Sequence, residues 1–351
     1  MAKSIFWFSF FIIVYVYAGY PVLLTGWRKL RRRPVEKRYY EPPVSIVIAM
    51  YNESEHVHAK MQNCLDLDYP PDKLQVIVSL DAPTDGTDEL VRQYAWRGVE
   101  IVSSTVRRGK ASALNSGVAM ARGDILLFGD ARQRFDRGII RELVANFADS
   151  SVGVVSGELL ILDREGRESA YWRYEKALRT MESDIHSLPG ATGAICAIRR
   201  STFTPLPPET LLDDVVIPMR IVLAGKRSIY DRSARAYDVA TATLQHEFER
   251  KRRTLAGNYQ LPVELPELLQ PWRNPIFLQF VSHKLGRLVV PYFLVALLIS
   301  NCFLQSGFYR LTLAGQLLWY SAACAGALIA ARGSATEPVA RAQEGAARTG
   351  S

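Results

Sequence analysis

Two regions of this chain are apolar, free of charge and long, and they lie at its two ends. Residues Ser4–Trp27 include no charged side chain, and neither do Leu288–Tyr309 and Leu311–Ala331, which a single arginine separates. About 20 apolar residues in a helix cross the ~30 Å hydrocarbon core of a bilayer. The sequence therefore predicts three membrane spans: an N-terminal helix within residues 1–27 and a helical hairpin over residues 288–331.

Basic residues beside the first span predict its orientation. The densest basic cluster of the chain, Arg28–Arg33, follows that span directly. Such clusters stay on the cytosolic side, so the N-terminus is expected outside and the residues after the span inside. A cleaved signal peptide is the alternative, but the apolar run is too long for one and its basic cluster follows it. We therefore expect a multi-pass protein of the cell membrane whose central part is cytosolic.

The hairpin also has an alternative, which is a buried helical pair in a soluble protein. Its polar residues Ser300, Asn301 and Gln316 weaken the membrane interpretation. Arg332 follows the hairpin, and the same orientation places it inside. Because the basic flanks agree at both ends of the chain, three spans remain the prediction.

Three segments beside the spans have compositions of their own. Residues 28–43 form a basic juxtamembrane linker, and residues 271–287 mix aromatic with basic side chains, which is typical of an amphipathic helix lying at the membrane interface. Residues 332–351 have little to bury, and we expect a disordered tail. The net charge of +8 lies largely beside the spans. It therefore favours membrane lipid over nucleic acid as a partner.

Residues 44–270 are predicted to form one α/β domain, because short apolar runs alternate with amphipathic stretches. The predicted strands are Val44–Met50, Leu74–Leu80, Val99–Ser103, Ile125–Phe128 and Val152–Ser156. The predicted helices are Ser54–Leu67, Thr87–Trp96, Lys110–Ala121 and Arg137–Phe147. Strands alternating with helices indicate a sheet of parallel strands with right-handed crossovers.

Polar residues follow three of these strands. They are Tyr51-Asn52-Glu53, the segment Asp81–Gly86, and Asp130-Ala131-Arg132. Ligands of such sheets bind beyond the carboxyl ends of the strands. One such segment could be an ordinary turn, as Asp85-Gly86 would be. Three at one edge of a sheet predict a binding site.

The sequence lacks the motifs of several other enzyme classes. It has no Gly-x-Gly-x-x-Gly after the first strand and no Gly-x-x-x-x-Gly-Lys-Ser/Thr, so a Rossmann dehydrogenase and a P-loop nucleotidase are disfavoured. It has no His-Glu-x-x-His and no paired Cys-x-x-Cys, so a zinc enzyme is disfavoured as well.

Five groups of residues follow one another along the chain in a recognisable order. They are Ser45–Glu53, Val78–Asp81 with Thr84–Thr87, Arg108–Asn115, Gly190–Gly193 with Ala197–Arg200, and Leu212–Asp214. In these motifs and their order, residues 42–260 resemble the membrane-bound family 2 glycosyltransferases, relatives of the cellulose, chitin and hyaluronan synthases. The resemblance implies a GT-A nucleotide-sugar-binding fold, a Rossmann-like mixed sheet, here flanked by transmembrane helices.

The resemblance also implies site residues and cofactors. Asp214 would be the catalytic base, with Asp213 beside it, and Asp130 would hold Mg²⁺ or Mn²⁺. The nucleotide sugar would contact Tyr51, Asn52, Glu53, Asp81, Lys110, Asp130, Arg132, Arg250 and Arg253. Alternatives stay open for several of them: an aspartate of the pair could cap a helix, Lys110 could be a solvated first-turn residue, and the run from Glu249 to Arg253 could face lipid.

Two departures from the family pattern stand out. The family's Asp-x-Asp is Asp130-Ala131-Arg132 here, so the second carboxylate of the metal site is missing. One Asp and phosphate oxygens can still hold a water-rich Mg²⁺, or Arg132 could contact the diphosphate itself. The tryptophan of the processive enzymes' Gln-x-x-Arg-Trp is replaced by Thr254, so the sequence does not predict processive polymerisation.

These observations predict a membrane-bound inverting glycosyltransferase. It would move a sugar from a nucleotide-diphosphate sugar, expected to be a UDP-sugar, to a growing polysaccharide or a lipid-linked acceptor in β linkage. One alternative is transfer to polyprenyl phosphate. Another is a non-catalytic GT-A scaffold subunit, for which the missing second aspartate is the motive.

Overall fold

The computed structural model describes residues 1–162, 168–239 and 244–348, and it divides into two compact units. The smaller unit comprises Met1–Tyr20, Thr241–Leu255 and Leu285–Ser351. The larger unit comprises Pro21–Ala240 and Ala256–Lys284, and it includes the three strand ends that the sequence singles out.

An eight-stranded mixed sheet forms the centre of the larger unit. Its strands are β1 Val44–Met50, β2 Leu74–Asp81, β3 Val99–Ser104, β4 Ile125–Gly129, β5 Arg134–Phe135, β6 Val152–Leu162, β7 Cys196–Arg199 and β8 Arg227–Val239. Their order across the sheet is β3-β2-β1-β4-β7-β6-β8-β5. The first four strands are parallel, β7 runs antiparallel between β4 and β6, and β5 pairs antiparallel with β8. The five predicted strands are present, and β7 makes the sheet mixed.

The helices of the described chain are α1 Ala2–Val14, α2 Tyr20–Leu30, α3 Val57–Leu65, α4 Thr87–Arg92, α5 Lys110–Met120, α6 Ile139–Ala145, α7 Ala170–Ile185, α8 Asp213–Leu223, α9 Leu244–Glu264, α10 Phe277–Gln279, α11 Gly286–Cys302 and α12 Gly307–Arg348. Two π-helical turns, Tyr15–Gly19 and Phe280–Leu285, join neighbouring helices. The four helices predicted between the strands are present as α3 to α6.

The sheet positions the strand ends because its core leaves little freedom. Strand β1 is buried along almost its whole length, as its β-branched residues favour. Helix α5 lies close against β1 and β2: a Cβ on Gly117 would be only 2.6 Å from Val47 Cγ1. The first residue of α5, Lys110, is therefore held at a fixed place beside the ends of β2 and β4.

Three helices are long and apolar enough to cross a membrane. They are Ala2–Leu30, Phe277–Cys302 and Gly307–Leu328. In the smaller unit, Trp7 Nε1 donates a hydrogen bond to Tyr309 Oη at 3.1 Å. Two of the polar side chains that weakened the hairpin prediction bind each other: the Asn301 amide lies 3.0 Å from Gln316, and it also lies 3.1 Å from Thr312 Oγ1. Such side-chain pairs are a usual way to satisfy polar groups between membrane helices. The third polar residue, Ser300, donates its hydroxyl to the Leu297 carbonyl at 3.1 Å.

Two segments beside the spans have predictions of their own. The second long apolar helix begins at Phe277, within the segment 271–287 that is expected to form an interfacial helix. In that segment, His283 Nδ1 lies 2.8 Å from Glu182 Oε1 of α7. Helix α12 extends to Arg348, and the disorder expected for residues 332–351 stays a prediction.

Candidate active site

Asp81, the last residue of β2, holds the loop that leads into α5. Its carboxylate accepts hydrogen bonds from the backbone N–H groups of Arg108 at 2.7 Å and Gly109 at 2.8 Å. Gly109 has φ +89°, which a glycine adopts without strain. Both oxygens of the buried Asp81 therefore fix the backbone directly before Lys110. A cavity of about 490 Å³, lined by residues of β2, β3 and α5, opens beside this aspartate.

Lys110 joins two carboxylates that come from distant parts of the chain. Its Nζ lies 2.9 Å from Asp130 Oδ1, at the end of β4, and 3.1 Å from Asp213 Oδ2, in α8. Burial alone would lower the pKa of the Lys110 ammonium, but Asp130 and Asp213 outweigh it and hold that pKa above its ordinary value. Lys110 is thus a charged bridge rather than a solvated first-turn residue.

The two aspartates of α8 lie in its first turn and do not cap it. Leu212 is the N-cap residue, and no side chain caps the helix there. The Ala191 N–H donates to the backbone C=O of Asp214 at 2.7 Å. Burial raises the pKa of the Asp214 carboxyl, the Asp213 carboxylate raises it further, and the Lys284 ammonium acts in the opposite direction. The alternative of a simple helix cap is not what the structure has.

The loop before β7 lies close to Asp214. A Cβ on Gly193 would lie 3.4 Å from both Cβ and Oδ2 of that aspartate. A Cβ on Gly190 would lie 3.5 Å from the Asp214 carbonyl oxygen and 3.5 Å from Lys284 Cε. The Gly190–Gly193 motif therefore borders the predicted base, and it brings Lys284 close, which the sequence analysis did not single out as a site residue.

The turns after β1 and β2 are bound to each other. Asn52, with φ +50°, accepts a hydrogen bond from the Thr84 N–H at 2.8 Å. The Glu53 N–H donates to Thr87 Oγ1 at 2.9 Å. Burial raises the pKa of the Glu53 carboxyl, His56 lowers it, and the Asp130 carboxylate adds to the rise. Two predicted donor-binding segments thus form one edge of the site.

Asp85 and Tyr51 complete this edge in different ways. Burial acts against ionisation of Asp85, but hydrogen bonds from Thr87 and Ser54 prevail and lower its pKa to about 2. Its oxygens are therefore used to hold the turn, as the ordinary-turn alternative expected. The Arg107 guanidinium lies 3.8 Å from the centre of the Tyr51 ring, a cation–π contact.

Arg132 is turned away from Asp130. Its Nη2 lies 2.6 Å from Asp238 Oδ2 of β8, and Gln133 Nε2 donates to the same oxygen at 2.9 Å. Asp238 is buried, whereas the Arg132 side chain is 35% exposed, so water reaches one side of this ion pair. Arg132, which stands where the family has its second aspartate, therefore has a partner in the protein. Sequence reasoning missed Asp238 because no local motif marks it.

A buried lysine supports the Asp130 loop from behind. Lys60 Nζ donates to the Gln133 carbonyl at 2.9 Å and lies 3.5 Å from the centre of the Phe135 ring. Burial lowers the pKa of this lysine. A Cβ on Gly129 would lie 2.4 Å from Phe135 Cζ, so the strand end and the loop are closely packed. Lys60 was also missed, since its position in α3 carries no sequence signal of its own.

A divalent ion would find one carboxylate here. Within the described residues no group of three or more His, Cys, Asp or Glu side chains is arranged to hold a metal. Asp130, whose side chain is 39% exposed, fits such an ion only if phosphate oxygens of a bound donor complete its ligands. The predicted ligands Arg250 and Arg253 lie in the smaller unit, and their part in donor binding stays a prediction.

Comparison with known proteins gives the following relatives. Residues 45–204 match the family model described as glycosyl transferase family 2. The chain is 30% identical to the glycosyltransferase AglE of Haloferax volcanii over 125 residues, which are 34% of this chain and 40% of that protein. It is 25% identical to the poly-β-1,6-N-acetyl-D-glucosamine synthase of Staphylococcus aureus over 228 residues, which are 62% of this chain and 55% of that protein. The chain thus spans about half the length of these curated relatives or less.

Among solved structures, the chain resembles the mannosyltransferase PcManGT from Pyrobaculum calidifontis, determined in complex with GDP-Man and Mn²⁺. The TM-score is 0.71 at 24% identity, and the match covers 91% of this chain and 92% of that one. At this level of identity the likeness concerns the fold.

Proposed function

We propose that this chain transfers a sugar from a nucleotide-diphosphate sugar to an acceptor hydroxyl with inversion. The premise of the proposal is that residues 45–204 form a family 2 glycosyltransferase domain with a GT-A fold. Residues 45–204 match the model of the family that the sequence motifs resemble, and the fold is similar to that of the mannosyltransferase PcManGT. One observation carries the proposal: Lys110 Nζ lies within 3.1 Å of both Asp130 and Asp213, so it joins the donor-side carboxylate to the aspartate next to the predicted base.

On the donor side, the residues of this chain would hold the diphosphate and favour its departure. The Lys110 ammonium is positioned to stabilise the charge that develops on the leaving group, because a preorganised cation needs no reorganisation at the moment of reaction. Asp130 would hold Mg²⁺ or Mn²⁺ jointly with the phosphates, and that ion would neutralise further charge. Tyr51, Asn52 and Glu53 would line the nucleotide side.

On the acceptor side, Asp214 would accept the proton of the attacking hydroxyl. A carboxylate with a raised pKa is a stronger base than an exposed aspartate, and burial and Asp213 supply that rise. Gly193, whose Cβ would lie 3.4 Å from Asp214 Oδ2, would border the acceptor hydroxyl at that carboxylate. Attack opposite the leaving group would invert the anomeric carbon, so an α-linked donor would give a β-linked product.

The membrane assignment rests on the three long apolar helices and on the basic residues after the first. Part of that basic cluster binds the protein: Arg28 Nε and Arg32 Nε lie 2.6 Å and 3.4 Å from the Asp184 carboxylate of α7. The remaining basic residues would face anionic lipid headgroups on the cytosolic side. We infer a multi-pass enzyme with a cytosolic site, a UDP-sugar donor, and a growing polysaccharide or lipid-linked acceptor. The named activity of the poly-β-1,6-N-acetyl-D-glucosamine synthase supports this choice.

The test compares membranes that contain the wild-type chain, Asp214→Asn and the control Asp124→Asn, each incubated with a panel of labelled nucleotide sugars. Asp124 is an exposed residue directly before β4, at the other end of that strand from Asp130. We expect incorporation by the wild type and the control and a loss of at least about 100-fold in Asp214→Asn, since general-base catalysis contributes about 10²–10⁴. Equal incorporation by all three would refute the role of Asp214.

The products separate the remaining alternatives. A short, acid-labile lipid-phosphate sugar would identify transfer to polyprenyl phosphate. Nucleotide-sugar binding without turnover of any donor, with and without Mn²⁺, would identify a non-catalytic scaffold.

A further inference from the structure

The loop that leads into the two aspartates of α8 is held by one face of α9. Gly257, Gln260 and Glu264 are spaced by three and four residues, so they lie on the same side of that helix. Each of them contacts a residue of the loop 209–212, which directly precedes Asp213. We call these three residues the α9 clamp.

Gln260 binds the loop backbone twice. Its Oε1 accepts a hydrogen bond from the Leu211 N–H at 3.1 Å, and its Nε2 donates to the Glu209 carbonyl at 2.9 Å. One side-chain amide therefore serves a donor and an acceptor of the loop, in the way a neighbouring strand would. Two hydrogen bonds to residues 209 and 211 fix the position of the loop along the helix.

Gly257 and Glu264 fix the two ends of the same loop. A Cβ on Gly257 would lie 2.4 Å from Leu212 Cγ, so only glycine permits this approach. Glu264 Oε1 accepts from Thr210 Oγ1 at 2.8 Å, and it lies 3.5 Å from Arg220 Nη2 of α8. The clamp thus contacts the loop and the helix that carries the aspartates.

The loop is continuous with the site through the first turn of α8. The Leu212 carbonyl accepts from the N–H groups of Val215 at 3.1 Å and Val216 at 2.9 Å, and Asp213 and Asp214 lie between these residues. A shift of Leu212 therefore moves both aspartates. Asp213 in turn lies 3.1 Å from Lys110 Nζ, but Lys110 keeps Asp130 as a second partner at 2.9 Å, so its ammonium stays on the donor side when Asp213 shifts.

We propose that Gln260 and Gly257 are positioning residues that set the place of Asp213 and Asp214 through the loop 209–212. The proposal rests on the proposed function for its kinetic consequence, while its structural part concerns only the loop. Donor-side residues at the ends of β1, β2 and β4 do not contact the clamp in the described hydrogen bonds. Loss of the clamp should therefore affect turnover more than donor binding.

The first experiment replaces Gln260 by methionine, which keeps the length of the side chain and removes both hydrogen bonds. The matched control is Gln93→Met, an exposed glutamine that directly follows α4. We expect kcat to fall about 10- to 100-fold, because small displacements of reacting groups cost up to about 10² in rate. We expect the donor KM and the Kd of UDP or GDP to stay within about threefold of the wild type. An unchanged kcat, or a rise in KM and Kd that matches the fall in kcat, would overturn the proposal.

The second experiment uses Gly257→Ala, whose added Cβ would meet Leu212, together with Gly257→Ala/Leu212→Ala, which removes the obstructing side chain. Gly26→Ala is the control, because a Cβ at that helical position of α2 meets nothing within 4 Å. We expect the single substitution to lower kcat and the double substitution to recover at least half of that loss on a logarithmic scale. A double variant no better than the single one would contradict the proposed contact.

A third measurement is independent of any transfer reaction. Hydrogen–deuterium exchange of the Leu211 amide should become at least about tenfold faster in Gln260→Met than in the wild type or Gln93→Met, since its hydrogen-bond acceptor is lost. Unchanged exchange refutes the clamp itself. Faster exchange in a chain that transfers no sugar would uphold the clamp and refute the proposed function, so the two failures are distinguishable.

Discussion

Removal of the Lys110 ammonium tests the charged bridge most directly. Lys110→Met keeps much of the side-chain volume and leaves Asp130 and Asp213 without the cation between them. Because each carboxylate oxygen lies about 3 Å from Nζ, the two are at most about 6 Å apart. At an effective dielectric constant of 20, suited to groups that water partly screens, two like charges at that distance repel by about 3 kcal/mol.

The donor loses an interaction of similar size. A phosphate charge about 6 Å from the Lys110 ammonium is attracted by about 3 kcal/mol at the same dielectric constant, so its loss corresponds to about 100-fold in kcat/KM. Part of the repulsion would also appear in the free energy of unfolding, because breaking a partly buried ion pair leaves charges that the fold must accommodate. We expect Lys110→Met to lower the midpoint of thermal unfolding as well as kcat/KM.

The assay measures kcat/KM for the active donor and thermal unfolding in detergent for the wild type, Lys110→Met and Lys226→Met. Lys226 is the matched control: its Nζ donates to the Ser150 carbonyl at 2.9 Å and pairs with no carboxylate in the described part of the chain. If kcat/KM of Lys110→Met stays within about threefold of the control, the proposed interaction between the Lys110 ammonium and the donor is refuted.

Two further predictions concern Asp214, the predicted base, and Gly129, which directly precedes Asp130. Burial and Asp213 raise the pKa of Asp214 in the folded chain, so ionisation of this carboxyl destabilises the fold as the pH rises above the ordinary aspartate pKa. Asp214→Asn should therefore raise the melting temperature relative to the wild type at pH 8 but not at pH 4. The same difference in melting temperature at both pH values would contradict the raised pKa. Gly129→Ala would place a Cβ 2.4 Å from Phe135 Cζ and should lower the free energy of unfolding by about 1–3 kcal/mol in urea titrations. The control Gly138→Ala, whose Cβ meets nothing within 4 Å, should change that free energy little. Equal effects of the two substitutions would show that the Phe135 side chain moves without cost.

Much of the sheet could be predicted from local patterns. Strands β1 to β4 are apolar runs that end in turn residues, and the polar residues at their ends lie at one edge because parallel strands align their carboxyl ends. Strand β7 was not among the predicted strands, although Ala197–Arg199 belong to one of the motifs named in the sequence. It is only four residues long and lies between β4 and β6, two strands that are distant from it in sequence. Pairing across such distances has no local signal.

In the candidate site as well, local motifs predicted single residues but not the contacts between them. Lys110, Asp130 and Asp213 could be chosen because each belongs to a short motif at an element end. Their bridge could not be foreseen in detail, since it joins the first residues of α5 and α8 to the residue that follows β4. The partner of Arg132 was likewise hidden, because Asp238 lies in a different strand and its burial depends on the completed sheet.

The charge balance around the bridge gives a reason for a donor that arrives with a divalent ion. Asp130, Asp213 and Asp214 face the ammonium groups of Lys110 and Lys284, so the set is negative whenever all three carboxyls are ionised. A bare diphosphate would be repelled by such a set, and Arg132, which pairs with Asp238, does not change the balance. A divalent ion bound to the diphosphate would neutralise its negative charge, and the ion would offer Asp130 a cation to coordinate. The replacement of the second aspartate by arginine is therefore compatible with metal-assisted transfer, provided that donor and ion bind together.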